Sequence, residues 1–447
     1  MNRMTQTHEI AKENPFRQVL GNRNFRLFWI GEGVSVLGDH FYMIALPWLV
    51  LQLTGDSLAM GTVLALAAIP RAFLMLVGGA LTDRFSPRSL MLASNAARFM
   101  LVSLLSGLVL ANQVEMWMIY TLAVLFGIAD AFFYPAQSSM APQLVRQDHL
   151  QIANSLIHGT MMLAMLAGPV LAGVLIALLG DGHSEGSGMQ GIAAALGLDA
   201  LTFLVSLITL LFIKLEHVVS RVADENILES IGSGLNFVWN DIPLRAFFLV
   251  VAAVTFFFNG PFNIGVPILA DTRFPEGAVA YGTILSTWGA GSLVGMALAG
   301  ILPRPNAKRM GAVLLGMVSL MGVGLALLGV SSSMIFAASM GLLLGALNGY
   351  INVFFTTWVQ SRAPKALLGR LMSLLMFAST GLFPVSMALS GAASRVDVTL
   401  LLTVSGVIVA LLGILMTLNP NVRAMEPAHV QSTSQNTLEG SVAASND

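Results

Sequence analysis

The sequence predicts an all-α membrane protein whose twelve transmembrane helices form two pseudo-symmetric six-helix halves. Three observations predict this fold: the composition, the number of long apolar runs and an internal repeat. Of the 447 residues, 56% are hydrophobic and only 10% are charged, whereas soluble domains carry about 25% charged residues. A water-soluble core cannot absorb so much apolar surface, so we expect lipid to be the solvent.

Twelve apolar runs are long enough to cross a bilayer, because one crossing needs about 20 mostly apolar residues. Numbered in chain order as spans 1 to 12, they are 25–53, 57–80, 89–111, 115–138, 152–178, 191–213, 244–268, 280–302, 309–330, 334–360, 366–393 and 398–418. The segment before span 1, residues 1–24, has no apolar core, and span 1 is too long for the apolar region of a signal peptide. These features predict a polytopic membrane protein.

The basic residues predict the orientation, because Lys and Arg are retained on the cytoplasmic side. With the N-terminus inside, eighteen of the 22 basic residues fall on cytoplasmic segments, and the external loops receive only Arg273 and Arg395. The remaining two, Arg71 and Arg98, lie within spans. Both termini are therefore predicted to be cytoplasmic.

The spans divide into an N-terminal bundle, 25–213, and a C-terminal bundle, 244–418. A polar cytoplasmic linker, 214–243, separates them, and the tail 419–447 is rich in Ser, Thr, Asn and Gln, which predicts disorder.

The two bundles resemble each other in sequence. The stretch "ADAFFYPAQSSMAP" (129–142) aligns at constant offset with "INVFFTTWVQSRAP" (351–364). A 6+6 duplication is typical of secondary transporters, which bind substrate between the halves near the midplane.

Ionisable residues inside the spans are concentrated in the N-terminal half. Each costs roughly 2.5–3.5 kcal/mol at a helix centre, so each needs a partner or a function. The N-terminal half contains Glu32, Asp39, Arg71, Arg98, Asp130 and Asp199. The C-terminal spans contain essentially none, which favours ion coupling in the first half and substrate contact in the second.

Asp39 is the leading candidate for proton coupling and for recognition of a cation. It lies near the midplane of span 1, about 10 Å along the axis from Glu32, which faces the same side. A structural acid bonded within the bundle is the alternative for each. Asp130 is the third coupling candidate.

Arg71 and Arg98 predict an ion-pair network with Glu32 or Asp130. Such a network is a switch if protonation of the acid frees the arginine, whereas for Arg98 a permanent brace fits equally well. Asp199, in span 6, is predicted to be structural.

Other chemistries find no support in the sequence. There are no cysteines, so thiolate metal sites and disulfides are excluded, and the histidines have no metal-ligand spacing. The stretch "GAGSLVG" (289–295) lies in an apolar span with no preceding strand, so it predicts helix packing rather than a nucleotide loop. A net charge of −1 gives no reason to expect nucleic acid.

The stretch "GGALTDRFSPR" (78–88), between spans 2 and 3, resembles the signature loop of the major facilitator superfamily. Ser86 and Pro87 depart from its usual Gly and Arg. The matching residues are Gly79, Leu81, Asp83, Arg84 and Arg88. The resemblance implies that this loop is a conformational latch, and a plain basic turn is the alternative.

The resemblance covers residues 15–420 and is strongest to bacterial exporters of the macrolide and siderophore type. The stretches "NRNFRLFWIGEGVSVLGDHFYMIALPWLVLQLTG", "FFYPAQSSMAPQLV" and "GRLMSL" carry it. In span 5, Gly168, Pro169 and Gly173 match the antiporter motif G-P-x-x-G-G, with Ala172 in place of a glycine. This match favours export, and a generic Gly-Pro kink is the alternative.

The resemblance also implies a substrate cavity lined by spans 1, 4, 7 and 10. Aromatic and amide side chains there suit a bulky amphipathic ligand. The candidates are Trp48, Phe132, Phe133, Tyr134, Asn259, Asn263, Asn348, Tyr350, Asn352 and Trp358.

Together these features predict a monomeric secondary transporter of a bacterial inner membrane, which is not an enzyme. It exports amphipathic drug-like or siderophore-like molecules by proton antiport, without a cofactor or a metal. A lipid or lysolipid flippase of the same fold is the alternative. A non-transporting sensor would be expected to lack the latch loop or to append a signalling domain.

Overall fold

The computed structural model describes residues 15–82, 86–146, 149–180, 187–214, 235–302, 307–362 and 381–418. These residues are helical apart from short turns and contain no strand. Eleven of their helices are long and apolar enough to cross a membrane. The predicted all-α membrane fold is confirmed.

Spans 1 to 6 each begin and end within a few residues of the apolar runs that predict them. They are Arg23–Thr54, Ser57–Thr82, Pro87–Leu110, Met116–Ser138, Leu150–Gly180 and Ser187–Leu211. This half also contains two short helices, Pro15–Gly21 before span 1 and Ala141–Leu144 between spans 4 and 5.

Spans 7 to 10 and span 12 are also close to their predicted ranges. They are Ile242–Arg273, Ala278–Ile301, Ala307–Gly329, Met334–Arg362 and Val398–Thr417. The predicted span 11 lies partly outside the described residues, and its described part is the helix Phe383–Ser394. Of the predicted linker, residues 214 and 235–243 are described, and the predicted tail lies outside the described residues.

Span 1 has side-chain and glycine caps that fix both of its ends. Asn22 Oδ1 accepts hydrogen bonds from the backbone amides of Asn24 and Phe25. At the other end, Gly55 adopts φ +60°, a left-handed conformation that glycine tolerates, and its amide donates to the Leu51 carbonyl at 2.7 Å.

Two spans are interrupted just before a proline. Span 4 breaks at Phe132, because Pro135 has no amide hydrogen to donate to the carbonyl of Ala131. Span 7 contains a π-helical turn, Thr255–Asn259, immediately before Pro261. The break in span 4 lies beside Asp130, so it affects the placement of a charged residue.

The two halves pack through spans 5 and 8 and through spans 2 and 11. Gly173 lies against the carbonyl of Ala278, and Gly282 lies against the carbonyl of Pro169. Next to them, the Val170 amide donates to Ser286 Oγ at 3.0 Å. The Gly-Pro motif of span 5 therefore forms a close seam with the second half.

Glycines also allow spans 8 and 10 to cross closely. Gly291 and Gly295 lie against the backbone of span 10, while Gly345 and Gly349 lie against the backbone of span 8. This reciprocal contact of small residues brings two helix backbones together. It confirms that the 289–295 stretch is a packing element.

Replacing Gly349 with valine is expected to destabilise the C-terminal half. A methyl group at this position overlaps the Ser292 carbonyl, and overpacking of this kind costs about 1–3 kcal/mol. We expect a lower melting temperature in detergent. Gly316→Val is the matched control, because a methyl group at Gly316 meets no atom within 4 Å; equal melting temperatures for the two variants would contradict the close crossing.

Candidate functional site

A cavity of about 360 Å³ lies between the two halves. Its volume is in the range of small-molecule sites. Spans 1, 2 and 4 supply its ionisable side chains, and spans 7, 8 and 11 complete the wall. The polar and aromatic lining residues are Asp39, His40, Tyr42, Arg71, Phe126, Asp130, Asn263, Tyr281 and Phe383.

Arg98 is the centre of an ion-pair cluster behind this cavity. Its side chain is only 1% exposed, and Nη1 lies 3.2 Å from Asp130 Oδ1 and 3.7 Å from Asp39 Oδ1. Nη2 donates to Asn95 Oδ1 at 2.6 Å. An arginine in an apolar helix bundle is thereby compensated by two carboxylates and an amide.

Two aromatic rings, one from span 4 and one from span 6, pack against the Arg98 guanidinium. Its Cζ lies 3.8 Å from the ring centre of Phe133 and 4.5 Å from that of Phe203. Cation–π attraction adds to the ion pairs in this desolvated position. Phe133, predicted to line the substrate cavity, therefore packs on the ion-pair cluster.

Asp130 joins both membrane arginines. Its Oδ1 faces Arg98, and its Oδ2 lies 3.2 Å from Arg71 Nε. The Arg71 side chain is 58% exposed, and Asp39 is 40% exposed. Asp39 and Arg71 are thus the charged groups of the cluster that are most exposed to a molecule in the cavity, while Asp130 lines it with a smaller exposed fraction.

Glu32 is connected to this cluster through neutral side chains rather than by an arginine contact. Gln137 Nε2 donates to Glu32 Oε2 at 2.5 Å, and Ser206 Oγ donates to Oε1 at 3.3 Å. Asn95 Nδ2 in turn donates to Ser206 Oγ at 2.8 Å. The polar chain therefore runs from Glu32 to Arg98 through two uncharged residues.

Two other ionisable side chains of this region have unsatisfied polar atoms. Both carboxylate oxygens of Asp199 and Nδ1 of His40 are buried without a hydrogen-bond partner among the described residues. His40 also packs against Gly168, the first residue of the antiporter-like motif.

The predicted latch is described only in part. Gly79 lies in the span 2 helix, and Asp83 and Arg84 lie outside the described residues. Arg88 donates from Nε to the Leu210 carbonyl at 2.8 Å and from Nη2 to the Leu211 carbonyl at 3.0 Å. Arg88 thus binds the C-terminal end of span 6, where a cation is favourable.

The predicted substrate residues do not form one cluster. Asn263 lines the described cavity, and its side-chain amide donates to the carbonyl of Asn259 at 2.8 Å. Trp48 stacks on Tyr281, a lining residue, at 6.5 Å between ring centres. Trp358 is buried against Phe247.

The remaining predicted cavity residues lie outside the lining of this cavity. Tyr134 and Asn352 are exposed, and Asn348 is half-buried.

Sequence reasoning missed several residues that complete the site. Asn95 and Ser206 are polar residues in apolar spans, and Asn95 lies three residues before Arg98, on the same helix face. That spacing is a signal that could have identified Asn95. Tyr42 and Phe126, which stack at 4.3 Å beside the cavity, read as ordinary core aromatics.

Polar contacts join the two halves at the end of the molecule that the basic residues predict to be external. Arg395 forms a two-pronged ion pair with Asp56, and Gln52 Nε2 donates to Asp271 Oδ1 at 2.8 Å. Each of these contacts joins the N-terminal half to the C-terminal half.

Breaking the Asp56–Arg395 pair is expected to open this end. Arg395 holds the pKa of Asp56 below its usual range, so the pair persists at neutral pH and is lost only as the pH falls through that lowered pKa. The chain has no cysteine, so Ala68→Cys in the cavity wall can report access to an impermeant maleimide.

Asp56→Asn should speed labelling of that cysteine from outside at neutral pH, where the pair is intact in the parent. Glu276→Gln, which alters an exposed carboxylate in the loop between spans 7 and 8, is the control and should label as slowly as the parent. Unchanged labelling in Asp56→Asn would show that the pair does not hold the external end closed.

Comparison with known proteins defines the class of protein. The family model described as Major Facilitator Superfamily matches residues 28–387. The chain belongs to this superfamily of membrane transporters.

Two efflux proteins are similar to the chain over most of its length. The chain is 25% identical to the multidrug efflux pump Tap of Mycolicibacterium fortuitum over 367 residues, covering 79% of this chain and 85% of that protein. It is 21% identical to macrolide efflux protein A of Streptococcus pyogenes, covering 90% and 97%. A crystal structure of a mutant nucleoside transporter NupG shares the fold, with a TM-score of 0.70, 11% identity and coverage of 88% and 99%.

Proposed function

We propose that this protein is a drug efflux transporter that exports amphipathic, preferentially cationic molecules by proton antiport. It acts as a monomer in a bacterial inner membrane, and the proton gradient is its energy source. The multidrug and macrolide efflux relatives support the transport class. The geometry of the N-terminal half supports the proton as the coupling ion.

The balance of charge in the N-terminal half carries the proposal. Four carboxyl groups lie in its described spans, those of Glu32, Asp39, Asp130 and Asp199. Of the arginines in these spans, only Arg71 and Arg98 lie away from the first turns of their helices, where they can compensate the carboxyls. An uncompensated ion in an apolar bundle costs several kcal/mol. Protons on two of the four carboxyls give a neutral cluster at the lowest cost, so the cluster is suited to bind and release protons.

Asp39 is the member of this cluster placed to exchange a proton for a substrate. It is the carboxylate most exposed to the cavity, and its 3.7 Å separation from Arg98 is longer than the 3.2 Å of the Asp130 pair. A proton and a cationic substrate compete for the same group. Binding one therefore favours release of the other, which is the requirement of antiport.

The rest of the cavity wall suits a bulky apolar body. Tyr42, Phe126, Tyr281 and Phe383 provide flat aromatic surfaces. Met43 and Met387 add flexible side chains that adapt to different ligand shapes. A ligand with an aromatic or aliphatic body and one positive charge satisfies both parts of the wall.

Transport by purified protein in proteoliposomes tests this function. Ethidium serves as the cationic probe, erythromycin as the macrolide probe and a fluorescent lysolipid as the flippase probe. We expect ethidium to accumulate against its gradient when an imposed pH gradient is present and a protonophore to abolish this accumulation. Movement of lysolipid without pH-driven movement of either drug would contradict the proposal and favour a flippase.

A further inference from the structure

Asp199 is a buried carboxyl group that the proposed exchange at Asp39 does not use. Its exposure is 0%, and neither of its oxygens has a hydrogen-bond partner among the described residues. The neighbouring Thr202 hydroxyl donates instead to the backbone carbonyl of Asp199 at 2.6 Å. An ionised group in this position loses its hydration with no donor in return, whereas a protonated group is neutral.

The backbone of span 1 approaches this carboxyl at a glycine. A methyl group on Gly38 would lie 2.7 Å from Asp199 Oδ1. Gly38 directly precedes Asp39 in the chain, so Asp199 lies behind the residue that faces the cavity. The structure thus provides two carboxyls, one on the cavity side of span 1 and one on its protein side.

The other ionisable groups around Asp199 come from the three helices that pack on span 6, namely spans 1, 3 and 5. Span 1 supplies Glu32, Asp39, His40 and Tyr42, and span 3 supplies Arg98. The described residues of span 5 supply only His158. This histidine lies ten residues before Gly168, which is about 15 Å along the helix axis. Both Asp39 and Arg98 are within electrostatic reach of Asp199.

Arg98 has a donor available for this carboxyl. Its Nη1 and Nη2 are occupied by carboxylate and amide oxygens, but its Nε is buried with no hydrogen-bond partner among the described residues. The guanidinium also lies on the ring of Phe203, one helical turn along span 6 from Asp199. An unsatisfied cationic donor and an unsatisfied carboxyl therefore occupy the same buried region.

We propose that Asp199 is a second proton-binding site, which exchanges its proton with Asp39 during the transport cycle. The O–H bond of protonated Asp199 breaks, its electron pair stays on the Asp199 carboxylate, and a new O–H bond forms on the Asp39 carboxylate. Arg98 loses its partner in Asp39 and gains one in ionised Asp199. Total charge is unchanged, and Asp39 can then release the proton into the cavity.

This inference deepens the proposed proton antiport and rests on it for its transport consequence. Its first part, that Asp199 holds a proton in the state described, needs no transport at all. The two parts can therefore fail separately.

Infrared spectroscopy of the purified protein at neutral pH tests the first part. We expect carbonyl-stretch absorption of protonated carboxylic acids in an apolar environment, with one component that is lost in Asp199→Asn and retained in Glu276→Gln. The amide of asparagine has the size of the protonated acid, so the variant should fold. A wild-type spectrum with no such band overturns the proposal without any variant, as does a spectrum in this region that folded Asp199→Asn leaves unchanged.

Proton counting tests the second part, with ethidium as the transported probe and a pH-sensitive dye inside the vesicles. Asp199→Asn should move fewer protons per ethidium than the wild type, while ethidium still moves down its own gradient. An unchanged ratio overturns the role of Asp199 in the cycle. Absence of ethidium-linked proton movement in the wild type instead refutes the proposed function, and leaves the infrared result to decide whether Asp199 holds a proton.

Discussion

Replacing Arg98 with methionine is expected to abolish efflux and to lower the stability of the N-terminal half by about 3–5 kcal/mol, the cost of removing one partner from a buried ion pair. Methionine fills much of the same volume but leaves Asp39 without its cation and Asn95 Oδ1 without its donor. Thermal unfolding in detergent and ethidium efflux from cells measure the two effects.

Arg71→Met is the matched control for this prediction. Arg71 pairs with the same Asp130, but its side chain is 58% exposed, and exposed pairs contribute about 0–1 kcal/mol. We expect its melting temperature to stay near that of the wild type. Similar melting temperatures for the two variants would show that burial does not distinguish the two arginines and would contradict the central position given to Arg98.

The second large effect is expected at Asp39. Asp39→Asn should abolish accumulation of ethidium against its gradient, because an amide cannot exchange a proton near neutral pH. Movement down the gradient should persist, since the cavity wall is otherwise intact. Uphill transport retained by this variant would move the coupling role to Glu32 or Asp130.

Glu276→Gln and Asp130→Asn are the two comparison variants for Asp39→Asn. The first alters an exposed carboxylate outside the cavity and should transport normally. The second removes the partner that Arg71 and Arg98 share, so we expect it to lower the melting temperature. We expect Asp39→Asn to leave the melting temperature near that of the wild type. The two aspartates can thus be distinguished by stability as well as by transport.

The membrane-spanning helices were predictable because lipid imposes a simple rule on the sequence. About 20 apolar residues are needed for each crossing, and the described spans begin and end close to the predicted runs. The kinks were less accessible. Pro135 and Pro261 each follow an interruption of their helix, but a π turn such as Thr255–Asn259 depends on local backbone geometry that composition does not reveal.

The charged cluster was predictable in its members but not in its pairing. The cost of an ion in lipid identified Arg98 and Asp130, and their contact agrees with the expected network. Nothing in the sequence gives the rotation of span 3 about its axis, which decides that Arg98 also reaches Asp39. Glu32 was expected near an arginine, whereas its described hydrogen bonds are to Gln137 and Ser206.

The cavity wall was the least predictable part. The resemblance implied contributions from four spans, but residue type alone does not separate a lining aromatic from a packing one. Phe133 stacks on Arg98, while Tyr42, one turn from Asp39, lines the cavity. Both are aromatic residues of apolar spans, and only their positions around the helix axis differ.

The most direct test of the account measures the internal pH of vesicles while ethidium is added to one side. With the wild type, we predict that ethidium moving in one direction drives protons in the other, and that Asp39→Asn uncouples the two movements. Ethidium transport by the wild type with no accompanying proton movement would contradict proton antiport.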